Sequence, residues 1–249
     1  YRTYVRERTS FQRSWTYAEP IFQAIIHGCQ AGLYDSAVEM YRNDIRGVLG
    51  QETFGLGLFL VSQFFDTCFE VPVRALSSAN RRWILNEAGL ILKGRGKLEQ
   101  ATVPLRAVLS LSEQAEDWAN AAINATNLSE LAELRGDLAE ATKSARRALD
   151  LARRTDNLFQ LMNSLGRLAK LLFQRGQTQD SHALLDSISE LCDAHPYPEP
   201  NRILLVIDAD YEMRRIQATK GEIHKYEATG SVHRSIPVSY THLTLPTKR

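Results

Sequence analysis

Gly94-Arg-Gly-Lys97 sets two glycines beside a lysine, residue types that cradle a phosphate through backbone amides and an ammonium group. The segment lacks the upstream glycine and the Ser or Thr after the lysine, and it follows a helical pattern instead of a strand. A nucleotide role is not expected there. Ile203-Leu-Leu-Val-Ile-Asp208-Ala-Asp210 is similar to an apolar strand ending in metal-binding aspartates. With no phosphate loop to serve, and with Tyr211 and Met213 continuing the apolar pattern, it reads as the buried face of a helix. His27 and Cys29 are the types of a base and a nucleophile, but residues two apart on a helix point to different sides, so Cys29 reads as a buried structural thiol. His182, His195, His224, His233 and His242 show no i, i+4 pairing with carboxylates, and no metal is expected. No nucleophile elbow, HExxH pair or paired-carboxylate constellation stands on a convincing strand or loop, so no catalytic residue and no cofactor are assigned.

Composition narrows the classes further. Lys+Arg number 30 against 29 Asp+Glu, a net charge of +1 with no long run of one sign, which gives no electrostatic ground for binding nucleic acid or an anionic membrane. The 3 cysteines, Cys29, Cys68 and Cys192, are far apart and odd in number, arguing against a disulfide framework or a zinc site and for a reducing cytoplasm. No window approaches the ~20 apolar residues of a membrane span, and the first residues lack the apolar core of a signal peptide. The chain starts at Tyr1 in a helix-like segment and is read as a piece of a longer protein.

The elements that position any site emerge from internal repeats. Gly96-Lys-Leu-Glu-Gln-Ala101, Gly136-Asp-Leu-Ala-Glu-Ala141 and Gly176-Gln-Thr-Gln-Asp-Ser181 place a glycine and, five residues later, a small residue, at intervals of 40 residues, with a further copy at Gly32-Leu-Tyr-Asp-Ser-Ala37. Amphipathic helical patterns flank each glycine, which stands where a helix must end in a left-handed residue. Each unit is therefore expected to be a helical hairpin. Trp118, Ala121, Ala122, Ala125, Leu128, Ser129 and Ala132 recur at three- and four-residue spacings on one face; Leu138, Ala141, Ala145, Ala148, Leu149 and Ala152 answer them after Gly136. The neighbouring units use larger residues, Leu85, Leu92, Leu105 and Val108 in one and Leu165, Leu168, Leu172, Leu185 and Ile188 in the other. No hairpin could bury its apolar face alone, so stacking is required and the expected fold is an all-α, right-handed α-solenoid.

The expected organisation is a flank over 1–18 continuing from an upstream helix, a repeat array over 19–227, and a non-native, disordered tail over 228–249. The run Phe54 to Asp66 is expected to form an extra helix beside the array, and Asn201 to Thr219 another, with Gly221 as a further turn. The tail Pro237-Val-Ser-Tyr-Thr-His-Leu-Thr-Leu-Pro-Thr-Lys-Arg249 resembles translated sequencing-adapter read-through and is set aside from functional reasoning.

The glycine, the small residue and the hairpin together resemble the tetratricopeptide repeat, in a variant with a period of about 40 residues like the helical-repeat regions of bacterial multidomain signalling ATPases of the STAND type. The departures are the long period and the missing helix-ending proline. Ala24 to Tyr34, Trp83 to Gly89 and Asp117 to Leu131 carry this likeness, which extends over roughly residues 19 to 200. It implies a concave groove lined by the first helix of each hairpin. Counting back from each turn glycine selects Trp83, Asn86 and Glu87, then Asn127 and Glu130, then Asn163, Arg167 and Lys170 as groove residues. Amide and charged groups there could bind the backbone or terminal carboxylate of an extended peptide, with Trp83 as an aromatic anchor; the competing reading is that such residues bond between repeats. The expected function is a non-catalytic scaffold or regulatory module binding a protein or peptide, with no nucleic acid and no membrane. The rival functions are a ligand-sensing array controlling an absent ATPase, effector or DNA-binding domain, a remnant of an enzyme whose catalytic part lies outside, and self-association through the repeats as a structural scaffold.

Asn120, Asn124 and Asn127 fall on one stripe of an otherwise alanine-rich helix, where each costs about 0.6 kcal/mol against alanine. They are read separately. Asn120 is assigned to first-turn amides, Asn124 to the neighbouring hairpin and Asn127 to the groove edge.

Overall fold

The computed structural model describes residues 18–47 and 54–194. The flank before residue 18, the segment 201–219 with Asp208 and Asp210, Gly221, four of the histidines (His195, His224, His233 and His242) and the tail 228–249 lie outside them.

Each helix has a local cause. α1 spans residues 18–30. α2 (Tyr34–Met40) runs on into a π-helical turn, Tyr41–Ile45. After α3 (Phe54–Ser62) come α4 (Ser78–Gly94) and α5 (Leu98–Gln114), α6 (Trp118–Leu134) and α7 (Leu138–Ala152), α8 (Leu158–Gln174) and α9 (Thr178–Ala194). Ser77, Asp117 and Asn157 cap α4, α6 and α8, their side chains accepting the backbone N–H of Asn80, Asn120 and Gln160. The three caps keep the same 40-residue interval as the glycines.

The hairpins close as expected. Gly32, Gly96, Gly136 and Gly176 have φ of 77°, 72°, 79° and 81°, and at each the glycine N–H bonds three residues back and the next N–H five residues back. Glu116, between α5 and α6, builds the same closure at φ 53°, where a side chain is disfavoured. Within a hairpin the small residues meet: Ser129 Oγ donates to the Ala141 carbonyl at 2.9 Å and Ser181 Oγ to the Ala169 carbonyl at 2.8 Å. In the α4/α5 hairpin the close approach falls on Gly89, where a Cβ would stand 2.5 Å from Leu105 Cγ. Pro104 sits inside α5, and the helix continues through it.

α6 is the central element. Its buried residues, from Ala121 through Asn124 and Ser129 to Leu131 and Ala132, occupy most of its circumference, because α4, α5, α7 and α8 all pack against it. Its stripe of asparagines ends in Leu131, buried among Leu92, Ala101 and Leu105, and Leu134, which is exposed. α7 buries Ala141, Ala145, Ala148 and their neighbours on one side and turns Lys143, Arg146 and Arg147 outward; Arg154, beyond its end, lies over the Trp118 ring.

The run Phe54 to Asp66 divides in two. α3 stops at Ser62, and Phe65–Thr67 (β1) pairs antiparallel with Val71–Pro72 (β2), so the expected single helix is too long. The Ser62 hydroxyl and the Gln63 amide both donate to the Phe59 carbonyl, supplying the closing bonds, and Phe64 turns fully inward. This insertion separates the α1/α2 hairpin from the regular units, and Leu60, Val61, Phe64 and Leu76 join Ile25, Val38 and Ile45 in its core.

Candidate peptide-binding face

The first helices α4, α6 and α8 lie side by side, and the polar residues selected from the sequence sit on them. Most are bonded from one hairpin to the next. Lys93 Nζ contacts Glu130 Oε2 at 2.6 Å, and the Asn127 amide donates to Asn86 Oδ1 at 3.0 Å. One hairpin further on, Glu133 receives Arg167 at 2.7 Å, Lys170 at 3.2 Å and the Gln174 amide at 3.0 Å, while Arg167 Nε also donates to Ser129 Oγ at 3.1 Å. Burial alone would raise the Glu133 carboxyl, but the Gln174 amide, then the Arg167 and Lys170 charges, outweigh it and hold it below the usual range.

A second group gathers at α4. Glu87 is buried, yet it accepts Arg46 Nε at 2.9 Å and the Tyr41 hydroxyl at 3.4 Å. Burial first, and then the Glu87 charge, push the Tyr41 phenol up, so it stays a donor. Trp83 stands edge-on to Tyr41, with ring centroids 5.9 Å apart, and carries the Arg42 guanidinium 4.5 Å above its ring and that of Arg46 at 5.8 Å. Arg42 is steadied by Asn80 Oδ1 at 3.0 Å, and Asn80 in turn donates to Asp35 at 2.8 Å. The Asp35 carboxyl is lowered first by that Asn80 bond and then by the Ser77 backbone N–H.

Beside this group a cavity of about 300 Å³ opens between α4, α5 and α6. Trp83, Asn86 and Arg82 form one wall, Val108 and Ser112 the floor, and Asp117, Asn120, Ile123 and Asn124 the other wall, with Arg42 at the rim. The three asparagines separate as follows. Asn124 is buried and donates to Ser112 Oγ at 3.2 Å on the neighbouring hairpin, as expected; Asn127 bridges to Asn86. Asn120 corrects the expectation: Asp117 is the cap and Asn120 supplies both donors, its backbone N–H and its side-chain amide.

Of the eight residues chosen, Trp83 and Asn86 line this cavity, Glu87 stands apart from it bonded to Arg46 and Tyr41, Asn127 reaches it through Asn86, and Glu130, Arg167 and Lys170 bond elsewhere between hairpins. Asn163 is half-buried and makes no hydrogen bond with the described residues. Sequence reasoning missed Arg42, Arg82 and Glu133. For Glu133 a signal existed: basic and amide residues 34 to 41 positions later, at Arg167, Lys170 and Gln174, match the repeat period. Arg42 carried none, because the insertion breaks the register between Gly32 and Gly96.

Cys29 is buried, with its thiol pushed up to about 11 by burial, while His27 is exposed and bonds Gln30. Among the described residues no three His, Cys, Asp or Glu side chains cluster as metal ligands, and no helix is long and apolar enough to cross a membrane.

No protein-family profile matches the chain, and no curated protein does. Among solved structures it is similar to BtubC (BKLC) from P. vanneervenii, at 11% identity and a TM-score of 0.53, over 97% of this chain and 98% of that one. The fold is an α-solenoid of tetratricopeptide-like hairpins. The solenoid is also similar, at 13% identity and a TM-score of 0.46, to a Podosopora anserina kinesin light chain described as having nearly identical TPR-like repeats, over 86% of this chain and 97% of that one.

Proposed function

We propose that this solenoid is a non-catalytic interaction module that receives a peptide or protein segment along the face formed by α4, α6 and α8. The observation that supports the reading most directly is the cavity beside Trp83. There the Asn86 amide nitrogen and the Trp83 indole N–H make no hydrogen bond with the described residues, whereas most polar groups further along the face are tied between hairpins. An aromatic wall with uncommitted donors suits an extended segment, which brings unpaired backbone carbonyls and side chains to be matched. On this reading Trp83 and Asn86 anchor the segment and Asn163 extends the contact, while Glu87, Asn127, Glu130, Arg167 and Lys170 set the wall that presents them.

The test is retention of the full chain on an array of immobilised peptides. A subset of peptides should hold the protein, and Trp83→Ala, shown by its melting curve to remain folded, should lose them. Retention unchanged by Trp83→Ala and by Asn163→Ala would sink the groove reading. A charge reversal at Arg167 is unsuitable, because it would set a carboxylate against Glu133 and disturb packing.

A further inference from the structure

We infer that the outer face of the second helices α7 and α9 is a self-association surface, on which the chain pairs with a second copy about a two-fold axis running along the seam between them. The two seams between second helices are built differently. Across α5 and α7, Arg147 meets Glu113 at 2.8 Å and Arg106 meets Glu140 at 4.0 Å, each pair 34 residues apart (147 − 113 and 140 − 106). The same step sets Arg146 level with Asp180, and Arg153 level with Ser187, across α7 and α9. There no ion pair within 4.0 Å forms among the described residues, because α9 carries Ala183, Ser187 and the shorter Asp180 where α7 carries Lys143, Arg147 and Glu140. A cavity of about 490 Å³ stands open between Arg146 and Arg153 on one side and Asp180 and Ala183 on the other.

The charges displayed on this face are sorted by helix. α9 holds Asp180, Asp186, Glu190 and Asp193 and no lysine or arginine. On α7 and the residues that end it, Lys143 leans on Glu140 and Arg147 on Glu113. Arg146 has no carboxylate within 4.0 Å among the described residues, and Arg153 meets Asp150 at 3.9 Å. Arg146, Arg153, Asp180 and Asp186 are all exposed. A basic row beside an acidic row is its own complement. A two-fold axis along the seam lays α7 of each copy over α9 of the other, bringing Arg146 to Asp180, and Arg153 to Asp186, of the second copy. A polyanion or an acidic segment would meet the α9 carboxylates, so neither fits both rows. The net charge of +1 raises little long-range repulsion between copies. Two helices about 25 Å long and about 10 Å wide offer about 500 Å² per copy, about 1,000 Å² in all, the low end for a specific contact. With groove facing groove, the charged crests make the contact, so the dimer is weak and sensitive to salt.

The test is sedimentation equilibrium of the full chain. A monomer–dimer equilibrium is expected, with a dissociation constant on the order of 10 μM that weakens about tenfold between about 50 mM and about 500 mM salt. Arg146→Glu with Arg153→Glu sets like charges at both contacts, as does Asp180→Lys with Asp186→Lys. Each double variant, its fold verified by its melting curve, should be monomeric. An equimolar mixture of the two should dimerise again, because every contact then regains its opposite charge. A chain that stays monomeric at about 200 μM, a dimer indifferent to salt or to either double variant, or a mixture that stays monomeric would each overturn the assignment. Oligomers that grow beyond two would do so as well, since a two-fold contact closes on itself. Both double variants should retain the arrayed peptides as the unaltered chain does, so that the dimer and the peptide-binding face fail separately.

Discussion

Two polar regions stand on the first helices of successive hairpins, one around Trp83 on α4 and one around Glu133 on α6, and use their charges in opposite ways. Around Glu133 a single carboxylate is closed by Arg167, Lys170 and Gln174, with only 12% of the Arg167 side chain and 19% of the Glu133 side chain accessible. Around Trp83 two guanidiniums share a ring, and one of them meets no carboxylate within 4.0 Å among the described residues. The repeat period brings Arg167 and Lys170 to Glu133, whereas Arg42 and Arg46 reach Trp83 from outside the 40-residue register. What differs is whether the next hairpin returns a partner of opposite charge. Where it does, the result is a clasp between units; where it does not, a guanidinium keeps only neutral partners among the described residues.

Deleting a clasp should therefore cost stability, and deleting Arg42 should cost little of it. The largest effect is expected for Glu133→Ala, which leaves Arg167 buried without its carboxylate and should lower unfolding free energy by about 3 kcal/mol in urea denaturation. A loss no larger than that of an exposed pair would remove the distinction between the two regions. Next, Asn86→Ala and Asn127→Ala should each cost about 1 kcal/mol, and the double variant less than their sum, because they share one bond. Glu116→Gly should stabilise by about 1 kcal/mol, relieving the only non-glycine left-handed closure between the described hairpins without touching either region. Smallest of all, Arg42→Gln should change stability by under about 1 kcal/mol, measured by the same denaturation, since among the described residues a cation–π contact and a neutral hydrogen bond are lost.

The clasp also sets a pH dependence. The Glu133 carboxyl is lowered in the folded state from its ordinary 4.5, so the folded chain binds fewer protons there than the unfolded chain. Its contribution is complete above that ordinary value and is lost as pH falls through the lower folded one. Acid titrations of the native chain should show this loss below about pH 4.5, and Glu133→Gln should flatten it. An unchanged acid limb in the variant would show that other carboxylates control it.

Legibility followed the range of the interaction. The turns were readable because a left-handed residue after a helix is a local requirement that glycine meets best, and the 40-residue recurrence of Gly96, Gly136 and Gly176 multiplied the signal. Cys29 was readable as buried from its place in the helical pattern alone. The end of α3 was not, since Phe65 and Asp66 continue an apolar run whose break depends on pairing with Val71 and Pro72. Among the candidate site residues, Trp83 and Asn86 could be placed on a shared face from helical spacing, but the diversion of Arg167 and Lys170 to Glu133 depended on which side chain the neighbouring hairpin set opposite them.

The sequence by itself determined that this chain is an array of helical hairpins, where each turns, and which residues face its core, because helical period, caps and turn chemistry act within a few residues. Tertiary structure alone decided which charges are satisfied. Pairing of Arg46 with Glu87 and the isolation of Arg42 beside the same tryptophan depend on how an insertion of irregular length sets one hairpin against the next, a geometry that no local pattern encodes.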